Sequence, residues 1–375
     1  MAACGEDARI VVPFKPTLFH MSLAKLAIRL YNEFGFEIIE KTLAEMEFGN
    51  VPESDEGSPK NFPIVRSRVK ENLLLIPTIL RSKVLAEVER VANEVWGWIG
   101  IHNTIDGLDY AKCSLFWRSE GTIDRTKTAQ EITQNQNVDI TARFEIACMY
   151  CLANQVQTLW AELKANGKTE KYEEPSKCGM VPKMLPFWVR WILEGAQVPW
   201  PQAAQEFLLP RWFPARHNSL SSSHFRVLMP GERRILLPHL VHLCKADDLR
   251  FCLYVLTKEE QEKVLESSCI EVLQLHMNWT LARDFLKIAE KTWNFLIEYS
   301  FCIVLEKLLD RRDRTDFDFE RLAEEFWKRS PTRFKEYAKN SGSKKISKFI
   351  EERKTKRKVD SHDGTEGSKR FRNNL

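Results

Sequence analysis

Apolar residues recur at helical spacing in two segments that lie 93 positions apart, 143–160 and 236–253. Each segment carries two such stretches around a short break that contains Asn or Asp, residues that can cap a second helix. The i, i+3, i+4, i+7 spacing places the apolar residues on one helical face, so each segment predicts a helix hairpin. The positions are Phe144, Ala147, Cys148, Cys151, Val156, Leu159 and Trp160 in the first segment, and Leu237, Leu240, Val241, Cys244, Leu249, Cys252 and Leu253 in the second.

Other stretches extend this helical pattern. Helix is predicted over residues 17–48 and in a long element after Pro77, and a looser third hairpin is predicted at 319–338. Residues 118–139 are polar and nearly aperiodic, which predicts a surface loop ending at Asp139, a candidate cap for the first hairpin. A hairpin cannot bury its apolar stripe alone, so the pattern predicts stacked helical pairs.

The predicted fold is therefore all-α, an irregular array of helix hairpins (ankyrin-like or α-solenoid-like) with a disordered basic C-terminal tail. The segments rich in Pro, Gly, Ser and charge divide the chain. The predicted regions are 1–50 (N-terminal helices), 51–61 (linker), 62–170 (helical, first hairpin), 171–185 (linker), 186–340 (helical, second and third hairpins) and 341–375 (tail).

Composition supports a folded, intracellular protein. Of the 375 residues, 43% are hydrophobic, which excludes global disorder, and 15 glycines and 16 prolines are too few to favour an all-β fold. Nine cysteines in a large helical chain predict reduced, mostly structural thiols rather than a disulfide framework. No signal-peptide pattern and no run of about eighteen apolar residues occurs, so neither secretion nor a membrane span is expected.

The first hairpin, through Asn166 and Gly167, resembles a degenerate ankyrin repeat. Ala147 and Cys148 stand where ankyrins have paired alanines, and Cys151 replaces the glycine between the two helices. The TPLH opening is missing and no 33-residue period follows. The pattern RFxxACxYC…LW also resembles uncharacterised arachnid helical-repeat proteins. These resemblances imply a helical binding scaffold and no activity.

A metal or thiol site is one interpretation of the cysteines on the hairpin faces. Cys148 and Cys151 form a CxxC pair, and a zinc site would need further ligands from the second hairpin, where His239, His242 and Cys244 are available. Packing of both cysteines as small apolar residues is the simpler interpretation. It is favoured because no second CxxC is present, so no metal and no cofactor is expected.

Aromatic residues are dense between positions 187 and 213. Trp and Arg are enriched where proteins bind partners. This makes a partner-binding set of Trp188, Arg190, Trp191, Arg211 and Trp212. The same aromatic side chains are equally suited to filling a core between helices.

The C-terminal tail carries eleven Lys or Arg and five Asp or Glu over residues 341–375, a local charge of +6 in a chain of net charge +4. Lys344 and Lys345 are separated by ten residues from a second basic cluster, 356–358, which fits a bipartite nuclear-import pattern. Residues 353–358 also fit a single basic import signal. Binding of nucleic acid and simple solubilisation are the alternatives. The basic residues are Lys344, Lys345, Arg353, Lys354, Lys356, Arg357 and Lys358.

No nucleophile elbow, phosphate-binding loop, dinucleotide fingerprint or zinc-protease motif is present, so a non-enzymatic protein is expected. The sequence predicts a non-catalytic protein–protein interaction scaffold, nuclear rather than cytoplasmic. Its expected partners are an unknown protein and, through the tail, an import receptor. The alternatives are a nucleic-acid-associated protein that binds through the basic tail and a zinc- or thiol-dependent enzyme.

Overall fold

Helices account for nearly all of the regular structure in this computed structural model. It describes residues 9–48, 62–173, 184–199, 202–203, 225, 228, 230–243, 246–277, 281–312 and 317–355. Within those ranges no strand forms, and the one β-type pairing is an isolated antiparallel bridge between Trp117 and Ile123. The prediction of an all-α fold is confirmed.

The chain divides into two compact units. The large unit is Val12–Glu260, and the small unit combines Met1–Val11 with Gln261–Leu375. The boundary between them falls in the first turn of a helix, Lys258–Leu275. The predicted linkers at 51–61 and 171–185 lie wholly or mostly outside the described residues.

In the described part of the large unit we number twelve helices whose bounds are known, α1 to α12. They are α1 (Leu18–Phe34), α2 (Phe36–Phe48), α3 (Phe62–Leu74), α4 (Thr78–His102), α5 (Arg125–Gln134), α6 (Ile140–Met149), α7 (Ala153–Ala165), α8 (Glu170–Glu173), α9 (Met184–Leu193), α10 (Pro230–Leu236), α11 (Leu240–Leu243) and α12 (Ala246–Val255). Helix α1 packs on α4, and α2 packs on both α3 and α4. Helix α6 packs on α5, α7 and α9.

Helix α6 lies in the core of the large unit, and nine of its ten side chains are buried. Asp139 caps its N-terminus, as the sequence predicted, and the Asp139 carboxylate accepts a hydrogen bond from the Thr141 N–H at 2.7 Å. Together α6 and α7 form the predicted first hairpin. Its apolar face is buried, and the Phe144 ring lies 5.5 Å from the ring of Trp160 and 5.3 Å from that of Tyr172.

Helices α6 and α7 each end in the same type of backbone turn. The second residue after each helix has a positive φ, 55° at Cys151 and 64° at Gly167. The next N–H bonds to the carbonyl five positions back, at 3.0 Å for α6 and 2.9 Å for α7. This is the Schellman turn, in which glycine is usual because it has no side chain to clash. Cys151 therefore occupies a glycine position between the two helices of the hairpin.

The second predicted hairpin differs from the first. Its apolar residues Leu237, Leu240, Leu249 and Leu253 are buried as expected. The first of its helices is broken into α10, a 3-10 turn at Leu237–His239 and α11. Pro238 lies in that turn, and proline lacks the N–H that an α-helix needs in its interior. The prediction of which residues are buried was therefore correct for these leucines, whereas the prediction of one regular first helix was wrong.

The prediction of a surface loop over residues 118–139 is wrong for its central part. Helix α5, Arg125–Gln134, occupies it and is capped by Asp124, whose side chain accepts a hydrogen bond from the Lys127 N–H at 3.1 Å. It buries two apolar residues, Ala129 and Ile132, together with two threonines. Because half of the buried face is threonine, hydrophobic periodicity alone did not reveal this helix.

The small unit contains α13 (Lys258–Leu275), α14 (Phe285–Thr292), α15 (Glu298–Leu309), α16 (Phe319–Arg329), α17 (Thr332–Lys339) and a last helix, α18, over residues 344–355. Phe301 on α15 stacks on Phe326 of α16 and on Phe334 of α17, with ring centroids 5.0 and 5.1 Å apart. The predicted third hairpin, 319–338, corresponds to α16 and α17, but both helices pack on α15 and make little contact with each other, so they do not form a packed pair.

The N-terminal segment completes the small unit. The Gln261 side chain is fully buried, and its Oε1 accepts hydrogen bonds from the N–H groups of Ile10 and Val11 at 2.8 and 3.0 Å. Its Nε2 donates to the Val11 carbonyl at 2.8 Å. One glutamine side chain therefore satisfies three backbone groups of a segment that is distant in sequence.

The prediction of a disordered tail beginning at residue 341 is wrong for residues 344–355, which form α18. Ile346 and Phe349 on this helix are buried, and the Phe349 ring packs edge-on against Trp327 at 5.9 Å. These two apolar residues, spaced three apart, lie on one face of the helix, and Phe349 packs that face on α16. The rest of the predicted tail, 356–375, lies outside the described residues.

The positive φ of Gly167 predicts opposite effects for one substitution at two glycines of the large unit. Gly167→Ala should lower the free energy of unfolding by about 1 kcal/mol, because an alanine is strained at that φ. Gly97→Ala, within α4 and with open space around the added carbon, should raise it by about 0.5–1 kcal/mol. Urea unfolding of the full chain measures both, and two shifts of the same sign would contradict the assigned turn.

Candidate functional site

The turn between α3 and α4 exposes large apolar side chains. Leu75 and Ile79 are 84% and 82% exposed, and Leu74 is 57% exposed. Single exposed apolar residues are common on protein surfaces, but three within six positions are a feature of binding surfaces. We call Leu74, Leu75 and Ile79, together with Leu18 and Phe19 at the start of α1, the α3–α4 patch.

The start of α1 adds to this patch. Leu18 and Phe19 are 79% and 42% exposed. The Lys83 ammonium lies 6.0 Å from the centre of the Phe19 ring. Lys83 follows Ile79 by one helical turn, so the two are neighbours on the surface of α4. The α3–α4 patch therefore comprises Leu18, Phe19, Leu74, Leu75 and Ile79.

Hydrogen bonds hold the turn in place beneath the patch. Leu73 and Ile76 point inward and are buried, and their carbonyls both accept from Arg81 Nε at 3.1 Å. The Leu80 N–H donates to the Pro77 carbonyl at 2.8 Å. A surface that is already ordered loses little conformational entropy when a partner binds it.

A second feature of the large unit is a buried group of charges around Arg250. The Arg250 side chain is 1% exposed, and its Nη2 lies 3.2 Å from Glu120 Oε1 and 3.3 Å from Thr122 Oγ1. Its guanidinium also stacks over the Phe251 ring at 4.6 Å. The Glu120 carbonyl accepts from Arg90 at 3.0 Å, and Arg90 pairs with Glu87. We call these residues the Arg250 cluster.

Gly121 fits tightly inside the Arg250 cluster. Its φ is +80°, and an added Cβ would lie 2.3 Å from Arg90 Nη2 and 3.0 Å from the Ala24 Cβ. The cluster thus fixes the turn at 118–122 between α1, α4 and α12. Its charges are matched in pairs, and such pairing is typical of a structural contact.

The CxxC cysteines occupy different environments. Cys148 is fully buried in α6, and burial raises the pKa of its thiol well above the usual value. Cys151 lies in the turn after α6 and is partly buried, and burial likewise raises the pKa of its thiol. Raised thiol pKa values keep both sulfurs protonated at neutral pH when no metal ion is bound, so neither thiol is activated as a nucleophile.

The remaining zinc candidates lie in or beside an internal gap in the described residues. The side chains of His239 and His242 and the whole of Cys244 lie outside the described residues. Among the side chains that are described, no three histidines, cysteines or carboxylates lie close enough together to hold a metal ion.

His102 and Tyr150 form a buried polar pair next to the hairpin. His102 Nδ1 lies 2.6 Å from the Trp98 carbonyl, and its Nε2 lies 3.0 Å from the Tyr150 hydroxyl. Only a protonated Nδ1 can bond to a carbonyl, so in the neutral ring Nε2 accepts from Tyr150. Burial raises the pKa of the Tyr150 phenol, which keeps that donor proton in place.

The aromatic partner-binding candidates separate into core and surface. Trp188 is fully buried, and its Nε1 donates to the Cys148 carbonyl at 2.9 Å. Trp191 is 6% exposed and donates to the Val198 carbonyl at 2.8 Å. Both indoles therefore fill the core, the alternative interpretation of this region, whereas Arg190 is exposed. Arg211 and Trp212 lie outside the described residues.

The import candidates are divided in a similar way. Lys344, Lys345, Arg353 and Lys354 lie on α18, where Lys345 pairs with Asp310 at 2.5 Å and Lys354 with Glu351 at 2.6 Å. Arg353 donates to the Glu324 carbonyl of α16 at 3.2 Å. Lys356, Arg357 and Lys358 lie outside the described residues.

The Arg250 cluster predicts a strong coupling between two buried residues. Arg250→Met should lower the free energy of unfolding by about 3–5 kcal/mol, because Glu120 keeps a largely buried charge without its partner. Adding Glu120→Gln should recover about 1–2 kcal/mol of that loss by removing the charge. A double-mutant cycle in urea measures the coupling, and additive effects would show that the pair is not a coupled contact.

The comparisons with known proteins give no relative. No protein-family model, curated protein or solved structure matches this chain. None of the helices in the described part of the chain combines the length and the apolar character needed to cross a membrane. No function therefore comes to this protein from a relative, and the exposed surfaces are the remaining guide.

Proposed function

We propose that this protein is a non-catalytic protein–protein interaction scaffold that binds its partner through the α3–α4 patch. The observation that carries the proposal is the exposure of Leu75 and Ile79, at 84% and 82%, on a turn held by Arg81. Apolar side chains on a backbone turn that is ordered before binding contribute hydrophobic free energy without the entropic cost of ordering the turn. Charged residues such as Lys83 at the border of the patch suit the polar rim of an interface.

The scaffold part of the proposal rests on helix pairs. The α6–α7 pair has the buried faces and the glycine-type turn expected of an ankyrin-like unit, and in the small unit α15 packs on both α16 and α17. The spacing between the pairs is irregular, so we propose an array with individual, non-identical units. Such arrays act by presenting surfaces rather than by holding a reaction centre.

A location in the nucleus is a further part of the proposal. Import receptors bind extended basic segments, whereas Lys344 and Lys345 lie on a packed helix. We therefore assign the nuclear-import signal to the single basic cluster at 353–358, which ends in Lys356, Arg357 and Lys358, and not to the bipartite pattern.

The α3–α4 patch is tested by proximity labelling in cells with the full chain fused to a labelling enzyme. Leu75→Ser with Ile79→Ser should reduce the labelling of at least one wild-type neighbour by about tenfold, a loss of about 1.4 kcal/mol. The melting temperature should be unchanged, since both side chains are exposed. Ile297→Ser with Tyr299→Ser, 60% and 62% exposed in the small unit, is the matched control. Equal neighbour sets for the wild type and both variants would contradict the proposal.

The import assignment is tested by imaging the tagged full chain. Replacing Lys356, Arg357 and Lys358 with alanine should move the protein from the nucleus to the cytoplasm. Replacing Lys344 and Lys345 should leave it nuclear, because these lysines lie on a packed helix. A wild-type protein in the cytoplasm, or a nuclear triple variant, would contradict the assignment.

A further inference from the structure

Positive charge is concentrated at the end of the small unit more strongly than in the chain as a whole. Residues 328–358 contain thirteen lysines and arginines and three glutamates, a local charge of +10. The net charge of the whole chain is +4, so the remaining residues carry −6. Most of this segment is folded, since it spans the end of α16, α17 and α18.

The fold brings two of these cations, Lys335 and Arg353, onto α16. The Lys335 ammonium donates to the Lys328 carbonyl at 2.9 Å, and Arg353 donates to the Glu324 carbonyl at 3.2 Å. These carbonyls are four residues apart on α16, about 6 Å along the helix axis. Lys339 follows Lys335 by one turn of α17 and therefore lies on the same face.

Lys335 and Lys339 are not paired with carboxylates as the neighbouring cations are. Lys345, Lys354 and Arg329 each pair with a carboxylate. Neither Lys335 nor Lys339 has a carboxylate within ion-pair distance among the described residues. Burial, and then the charges of Arg353 and Lys339, lower the pKa of the Lys335 ammonium. An anion bound at this surface would relieve that repulsion.

We propose that the α17–α18 surface around Lys335, Lys339 and Arg353 binds the phosphate backbone of nucleic acid without reading its sequence. This activity does not depend on the α3–α4 patch, which belongs to the other unit. Lysine supplies point charges that suit phosphates, and phosphate contacts position a protein on nucleic acid without specifying a base.

The chemistry of the surface favours nucleic acid over two other polyanions. A protein partner would be expected to meet aromatic or apolar anchors, and lysine is depleted in the centres of protein interfaces. A membrane would require an exposed apolar face, but Ile346 and Phe349 of α18 are buried. Tyr337 is the one large apolar residue of α17 with substantial exposure, at 42%. A face of lysines with few anchors is typical of phosphate-backbone contacts.

The test is the salt dependence of binding between the full chain and a short fluorescent DNA duplex of mixed sequence, over about 50–200 mM salt. Each phosphate contact contributes about 0.9 to the slope of log affinity against log salt. Lys335→Gln with Lys339→Gln should therefore reduce the magnitude of the slope by about 2. Lys335→Arg with Lys339→Arg keeps both charges and should leave the slope unchanged. Lys25→Gln with Lys70→Gln removes two exposed charges of the large unit and should also have no effect.

Three results would overturn the proposal. The first is a wild-type chain that does not bind the duplex at the lowest salt. The second is an unchanged slope in the double glutamine variant, which would place the contacts elsewhere, as in Lys356, Arg357 and Lys358. The third is equal or tighter binding to polyglutamate or to phosphatidylserine vesicles at the same salt. Melting temperatures of all variants within about 2 °C of the wild type show that the fold is retained.

Discussion

The enclosure of α6 is the constraint on which the large unit depends. A helix with nine of ten side chains buried needs partners for the charges it carries, because an unpaired buried charge costs several kcal/mol. Arg143 pairs with Glu162 of α7 at 2.9 Å, and Glu145 accepts from the Tyr172 hydroxyl of α8 at 2.9 Å. The carbonyl of Cys148 accepts from Trp188 of α9. The positions of three neighbouring helices thus follow from the polar groups of one.

Hydrophobic periodicity predicted those elements in which apolar residues alone form the buried face. The stripe of α4 is an example, since Val84, Val88, Val91 and Val95 are all buried. The paired faces of α6 and α7 are another, and Asp139 was found as a cap because capping depends on local sequence. In each case, the information lies within about two helical turns.

The features that the sequence did not predict also have local physical reasons. Helix α5 buries Thr128 and Thr133, which a hydrophobic pattern counts as polar. Pro238 interrupts a stripe that is otherwise regular. In α18, the many lysines around Ile346 and Phe349 lower the mean hydropathy of the segment, so its average does not reveal these two buried residues. The α3–α4 patch was missed because residues 73–80 (LLLIPTIL) are nearly all apolar, so the sequence does not show which side chains point outward.

The small unit is built from both ends of the sequence, since Ile10 and Val11 are held by the side chain of Gln261. During synthesis the N-terminal segment leaves the ribosome first, and its partner follows 250 residues later. At about 5–20 residues per second, the delay is about 12–50 s. Throughout that interval two apolar residues and their backbone N–H groups have no native partner, although the large unit can already fold. The first described residues of the chain are therefore among the last to reach their final positions.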